Sequence, residues 1–175
     1  DEAAVYPSFI SEAKETGIDA VIVADIGVMA MTKKYAPGLD IHMSTQVGIM
    51  NYETANELYR LGANRIVLAR EVSLSEIAKI RKNIPSDMEI EVFAHGAMCV
   101  SFSGRCLLSK YLTGRDANRG ACAQPCRWKY FLTEETRPGE QYEITEDNRG
   151  TYILNARDLC MIEHIPDLLD AGVSS

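Results

Sequence analysis

At 175 residues, with 46% hydrophobic and 25% charged residues, the chain is long enough for one domain with a real core and has an ordinary globular make-up. A net charge of −7 argues against a generally basic nucleic-acid binder, and no apolar run approaches the roughly 20 residues that span a bilayer. The acidic opening DEAAVYPSFISEAKE has neither the basic nor the apolar region of an export signal, so a cytoplasmic protein is expected.

The first half alternates helix and strand patterns. Residues 2–16 read as an amphipathic helix closed by Gly17, and Ile18–Ala24 as a continuous apolar run, the mark of a buried parallel strand. A helix over Val28–Tyr35 is stopped by Pro37-Gly38, and Asp40–Gln46 reads as a strand. Asn51 is placed to cap a helix over Asn51–Leu61, followed by an apolar strand over Arg65–Ala69. Ser73 with Glu76 three residues on forms a capping box for a helix to Lys82, and Met88–Phe93 is a fourth strand.

The junction Gly17–Asp25 resembles Gly62–Arg70, 45 residues later, and a third copy begins at Leu169–Val173. Repeated helix–Gly–strand units predict a parallel α/β architecture. No phosphate-binding GxGxxG or GxxxxGK[ST] turn is present, which lowers the odds of a Rossmann or P-loop fold. A complete (β/α)8 barrel needs about 250 residues, so the pattern predicts a partial TIM-type barrel, with a complete small α/β domain as the alternative. An unpaired strand edge in such a barrel would favour a homodimer.

After Gly96 the pattern changes. Residues 97–126 are rich in Cys, Gly, Ser and Arg, with a short helical stretch near Leu107–Leu112. Trp128–Thr133 and Gln141–Thr145 alternate like antiparallel strands, 146–150 is a turn cluster, and Thr151–Leu154 would return from it. Asp158–Leu169 reads as a helix that Pro166 disturbs. The expected organisation is therefore barrel units over 1–96, a Cys-rich loop and β-hairpin insertion over 97–157, and a barrel helix with the start of the next strand over 158–175.

Charge and cysteines concentrate in the insertion. Between Arg105 and Tyr130 stand six basic residues and one acid, Asp116, a local anion site or a solvated loop. Four of the five cysteines follow Cys99-x6-Cys106-x15-Cys122-x3-Cys126. An odd count without an export signal argues against a disulfide framework. Soft thiolates suit an iron–sulfur cluster or zinc, with plain reduced cysteines as the remaining reading. The spacing is not the paired C-x2-C of a zinc ribbon. Cys160 lies in a helical pattern and is either a core residue or an alternative fourth ligand.

The stretch from Glu91 to Ser109, with Phe93, Gly96, Ala97, Met98, Cys99, Gly104, Cys106 and Leu108, resembles the signature of the collagenase-like peptidases of family U, the class of unknown catalytic type. Arg115–Trp128 and Thr151–Leu159 continue the likeness. This resemblance implies a TIM-type barrel with added segments and one of two activities. One is peptidase activity on collagen. The other is RNA hydroxylation, such as 5-hydroxylation of the wobble uridine of tRNA with prephenate as a small carboxylate co-substrate. It also implies a [4Fe–4S] cluster on Cys99, Cys106, Cys122 and Cys126, with Cys160 in play for the fourth position.

Active-site groups of parallel barrels sit at the C-terminal ends of the strands. Those ends carry Asp25, then Ser44, Thr45 and Gln46, then Arg70 and Glu71, then His95. Asp25, Arg70 and His95 are the catalytic candidates, His95 as a proton shuttle or base-edge contact. Arg70 and Arg105 are candidates for gripping an anionic group, and Gln46, Arg127 and Lys129 for binding substrate. Tyr111, Trp128 and Tyr130, interleaved with the basic residues, fit an RNA-facing surface or the packing of the hairpin. Neither GxSxG nor HExxH is present. The face of Glu91 is not fixed by the pattern.

Overall fold

Helix and strand alternate because each helix carries its own start and stop. The computed structural model describes residues 2–99, 101–102, 105–128, 130–133, 135–143, 146–147, 150–151 and 158–175. In it α1 spans Glu2–Glu15, β1 Ala20–Val23, α2 Ile26–Tyr35, β2 Asp40–Met43, α3 Tyr52–Leu61, β3 Arg65–Val67, α4 Leu74–Lys82 and β4 Glu89–Glu91. Asn51 caps α3 by accepting from the Thr54 amide at 2.9 Å. The Ser73/Glu76 box closes both ways at the head of α4. Gly62 ends α3 in the left-handed region at φ 102°, where a Cβ would also come within 2.5 Å of the Lys33 amine.

The four strands form one parallel sheet in the order β1-β2-β3-β4. Ser174 donates to the Ile90 carbonyl at 2.8 Å and Val92 donates to Ser175 at 3.1 Å, so the ladder continues past β4. This establishes the α/β class with a parallel sheet and helices.

Register gives the sheet two unlike faces. One carries Val23, Ile41, Met43, Ile66 and Ile90, all buried. With Ile10, Met29, Leu58, Ile77 and Ile80 from the helices they make the core, each worth about 1.5–3 kcal/mol relative to exposure. On the opposite face Ile22, His42, Arg65 and Glu89 stand in one row across all four strands. The apolar run Ile18–Ala24 is therefore not the fully buried strand expected. β1 pairs only with β2 among the described residues, and Ile22, on the charged face, is 65% exposed.

The chain divides into two units, Asp1–Val92 with Glu163–Ser175, and Phe93–Ile162. The second unit holds β5 His95–Gly96, α5 Leu108–Thr113, β6 Phe131–Thr133, β7 Gln141–Glu143, β8 Glu146–Asp147, β9 Gly150–Thr151 and β10 Leu159–Cys160. The expected hairpin forms, Phe131 opposite Glu143 and Thr133 opposite Gln141. β8 pairs antiparallel with β9, so the ends of the expected turn cluster are strand, and 152–154 of the return lie outside the described residues.

The helix expected over Asp158–Leu169 is shorter. Leu159 and Cys160 pair antiparallel with Gly96 and His95, a single 3-10 turn follows over Ile162–His164, and α6 spans Ile165–Asp170 in the first unit. Pro166 falls in the first turn of α6. A proline there forfeits no helical hydrogen bond, so it starts the helix rather than disturbing it. No helix among the described residues is long and apolar enough to cross a membrane.

Candidate functional site

Three segments of the second unit carry the clustered thiols: the stretch after β5 with Cys99, the lead into α5 with Cys106, and the loop Cys122–Cys126. Burial pushes the Cys126 thiol above the ordinary cysteine range. The charges of Cys99, Cys122 and Cys106 push the same way, and Arg127 opposes them. Three sulfurs thus lie within electrostatic reach of Cys126. Cys160 is not among the groups acting on it. It is exposed on β10, opposite His95.

Backbone amides serve two of these sulfurs. Leu108 donates to Cys106 Sγ at 3.3 Å, and Gln124 donates to Cys122 Sγ at 3.3 Å. Gln124 takes a left-handed conformation, φ 53°, the only non-glycine among the described residues to do so. Such a conformation costs of order 1–3 kcal/mol and persists where its surroundings enforce it. Ser109 is fully buried in α5, and its Oγ accepts from the Ala123 amide at 3.0 Å. Asn118 donates to the Cys106 carbonyl at 3.2 Å, and Tyr130 Oη donates to the Pro125 carbonyl at 2.6 Å.

Part of the basic excess is consumed locally. Asp116 accepts from Lys110 at 3.2 Å and from the Asn118 amide at 3.0 Å. The Lys110 contact leads in holding its carboxyl below the usual range. Arg127 is paired with Asp158. Arg105 and Arg115 are exposed, as is Trp128, and Tyr111 is 86% exposed. Tyr130, by contrast, is half-buried and spends its hydroxyl on the loop of Cys126. Lys129 lies outside the described residues.

His95 is exposed on β5. Asp25, Gln46 and Arg70 belong to the first unit. Asp25 is exposed and caps α2, accepting from the Val28 amide at 3.0 Å, which is a structural use of its carboxylate. Gln46 lies in the 3-10 turn Thr45–Val47, its amide donating to Ser44 Oγ at 3.2 Å. Arg70 is half-buried.

Sequence reasoning missed the polar row on the sheet. Arg65 reaches Glu89 at 2.5 and 2.6 Å and Glu91 at 3.2 Å. Burial, then the neighbouring Arg65 charge, lowers the pKa of His42, against Glu91, Glu89 and Asp40. Glu91 is thus a half-buried partner of Arg65. Alternation in DIHM and EIE was the available signal; the register that joins them was not. Ser109 stands in the signature stretch, but its contact was missed, since nothing in a sequence marks a hydroxyl that meets an amide 14 residues on.

Among the described residues no three His, Cys, Asp or Glu side chains are gathered as ligands of a single metal ion.

Known proteins place the chain among relatives. "tRNA hydroxylation protein P" of Escherichia coli is 37% identical over 210 residues, covering 96% of this chain and 46% of that protein. An uncharacterized protease of Methanocaldococcus jannaschii is 47% identical over 161 residues, 90% of this chain and 38% of that protein. A 23S rRNA 5-hydroxycytidine synthase of Escherichia coli is 38% identical over 175 residues, 100% of this chain and 25% of that protein. The chain spans less than half the length of each of these relatives. The profile of peptidase family U32 matches residues 1–175, and the chain belongs to that family.

Proposed function

We propose that this chain is the cysteine-bearing part of an RNA hydroxylase that installs oxygen at carbon 5 of the wobble uridine of tRNA. The observation that carries this reading is the grouping of Cys99, Cys106 and Cys122 around Cys126 in a segment that also exposes Arg105, Arg115, Tyr111 and Trp128. Hydroxylation of tRNA in one relative and of rRNA cytidine in another, as their names state, supports the reaction class.

The donor set fits an iron–sulfur cluster. Zinc would draw four sulfurs to about 2.3 Å from one centre. Cys99, Cys106 and Cys122 all act electrostatically on Cys126, and thiolates of this kind are the ligands of iron–sulfur clusters. Cys99, Cys106, Cys122 and Cys126 would hold a [4Fe–4S] cluster, with Cys126 preferred to Cys160 for the fourth position. When bound, it would supply electron transfer or Lewis-acid activation. Arg105 and Arg115 would hold RNA phosphate, and Tyr111 and Trp128 would stack on bases. His95 would move a proton at the reacting base. Arg70 would bind a carboxylate co-substrate such as prephenate. The parallel sheet would form part of a TIM-type barrel in the whole protein.

Two measurements on the full-length protein test this. Anaerobically purified protein should contain iron and sulfide in equal amounts. tRNA from a deletion strain should regain 5-hydroxyuridine with the wild-type gene and not with Cys99→Ser or Cys106→Ser. Full modification by both variants would sink the cluster's role. The name of the Methanocaldococcus relative favours a second reading, a peptidase. Gelatin cleavage that these substitutions abolish, with tRNA unmodified, would establish it instead.

A further inference from the structure

We infer that Ser109 is a positioning residue for the thiol site, setting where the sulfurs of Cys106 and Cys122 stand relative to each other. This rests on the cluster reading above and adds to it a residue that is not a ligand.

Ser109 is fully buried, in a unit whose only other fully described buried residue is Pro125. A hydroxyl removed from water is costly unless it is bonded, so its place there follows from the bond it makes. Its Oγ accepts from the amide of Ala123 at 3.0 Å. Three residues before Ser109 is Cys106, and directly before Ala123 is Cys122. One hydrogen bond therefore ties the two thiol-bearing segments together.

On each side of that tie an amide is aimed at a sulfur, Leu108 at Cys106 and Gln124 at Cys122, both at 3.3 Å. The second amide belongs to the residue held in the left-handed conformation. The Ala123 amide adjoins that residue, so fixing it holds the unfavourable turn in place. Amide hydrogens directed at a cluster's sulfurs stabilise its reduced, more negative form and raise its reduction potential. Ser109 acts on the cluster through these amides and touches neither sulfur in the contacts seen here. Loss of the hydroxyl frees Ala123, relaxes Gln124 and withdraws its amide from Cys122.

The test uses the cluster-loaded full-length protein with three variants. In Ser109→Ala the reduction potential should fall, and iron should pass to a chelator about tenfold faster, the low end of the effect of groups that orient metal ligands. Ser109→Thr keeps the oxygen and should restore both. Thr113→Val removes a hydroxyl of the same helix that donates to the Ser109 carbonyl at 2.7 Å and accepts from the Arg115 amide at 3.2 Å, reaching neither thiol segment's sulfur, and should leave both unchanged. In wild type the Ala123 amide should be protected from hydrogen exchange, a measurement that needs no variant. An unprotected Ala123 amide overturns the inference. So does a Ser109→Ala protein that melts earlier yet keeps the wild-type potential and iron release, for that is a structural role alone. Wild-type protein without iron and sulfide sinks the cluster reading instead, a distinct outcome.

Discussion

The two units of the chain are built on opposite terms. In the first, helices and a parallel sheet bury an apolar core from Ile10 to Val173. In the second, the buried residues among those whose side chains are described are Ser109 and Pro125, while Phe102, Leu107, Tyr111, Trp128 and Phe131 are exposed. Apolar burial holds the first. Side-chain-to-backbone hydrogen bonds from Ser109, Asn118 and Tyr130, and the Asp116 and Arg127 ion pairs, hold the second. Net hydrogen bonds give about 0.5–1.5 kcal/mol each, less than a buried side chain. A unit of that kind has most to gain from ligand binding, because metal-binding free energy becomes folding free energy.

The sharpest way to break this contrast is to remove the proposed cluster. Chelating iron from the loaded full-length protein should abolish exchange protection of amides between Phe93 and Ile162 and leave β1–β4 protected. Equal loss in both units would show that they do not differ. Next in size is Ile66→Ala, a fully buried side chain of β3. It should cost about 2–5 kcal/mol in denaturant unfolding of the first unit. The thiol site should keep its spectrum in native buffer.

A smaller effect is expected of Asn51→Ala. It removes the cap of α3 and should lower stability by about 1 kcal/mol, read from the same unfolding curves. The smallest comes from His42. Its pKa is lowered in the folded chain by burial and by Arg65, so folding disfavours the charged imidazole. The associated stability is present above the unfolded value of about 6.5 and is lost as pH falls from there through the folded pKa. Unfolding at pH 7.5 and pH 5.5 should show this slope in wild type and a flatter one in His42→Gln.

Much of the first unit is legible from sequence because each of its devices is local. Asn51, the Ser73/Glu76 box and the Gly62 stop all act within one turn of the residue that marks them. Consecutive strands then lie side by side, as short parallel connections require. What escaped needs knowledge of register or of distant partners. Ile22 belongs to an apolar run, yet its row mates are His42, Arg65 and Glu89. The helix expected across Asp158–Leu169 failed at its start, where Leu159 and Cys160 pair with β5 instead, a partner more than 60 positions away. In the candidate site the thiol spacing was visible and the Ser109 tie was not. Asp25 shows a further limit: a carboxylate at a strand end reads as chemistry, and the same spot is where a helix takes its cap.

The row Ile22–His42–Arg65–Glu89 turns the sheet into an addressable line of charge. Neighbouring positions stand about 4.8 Å apart, the strand spacing, so each side chain feels the next. Ile22 is the one apolar seat of the row, and it is 65% exposed. Replacing it with glutamate would put an anion on the side of His42 away from Arg65. That charge would push the imidazole pKa back up, against burial and Arg65, without touching the apolar face beneath.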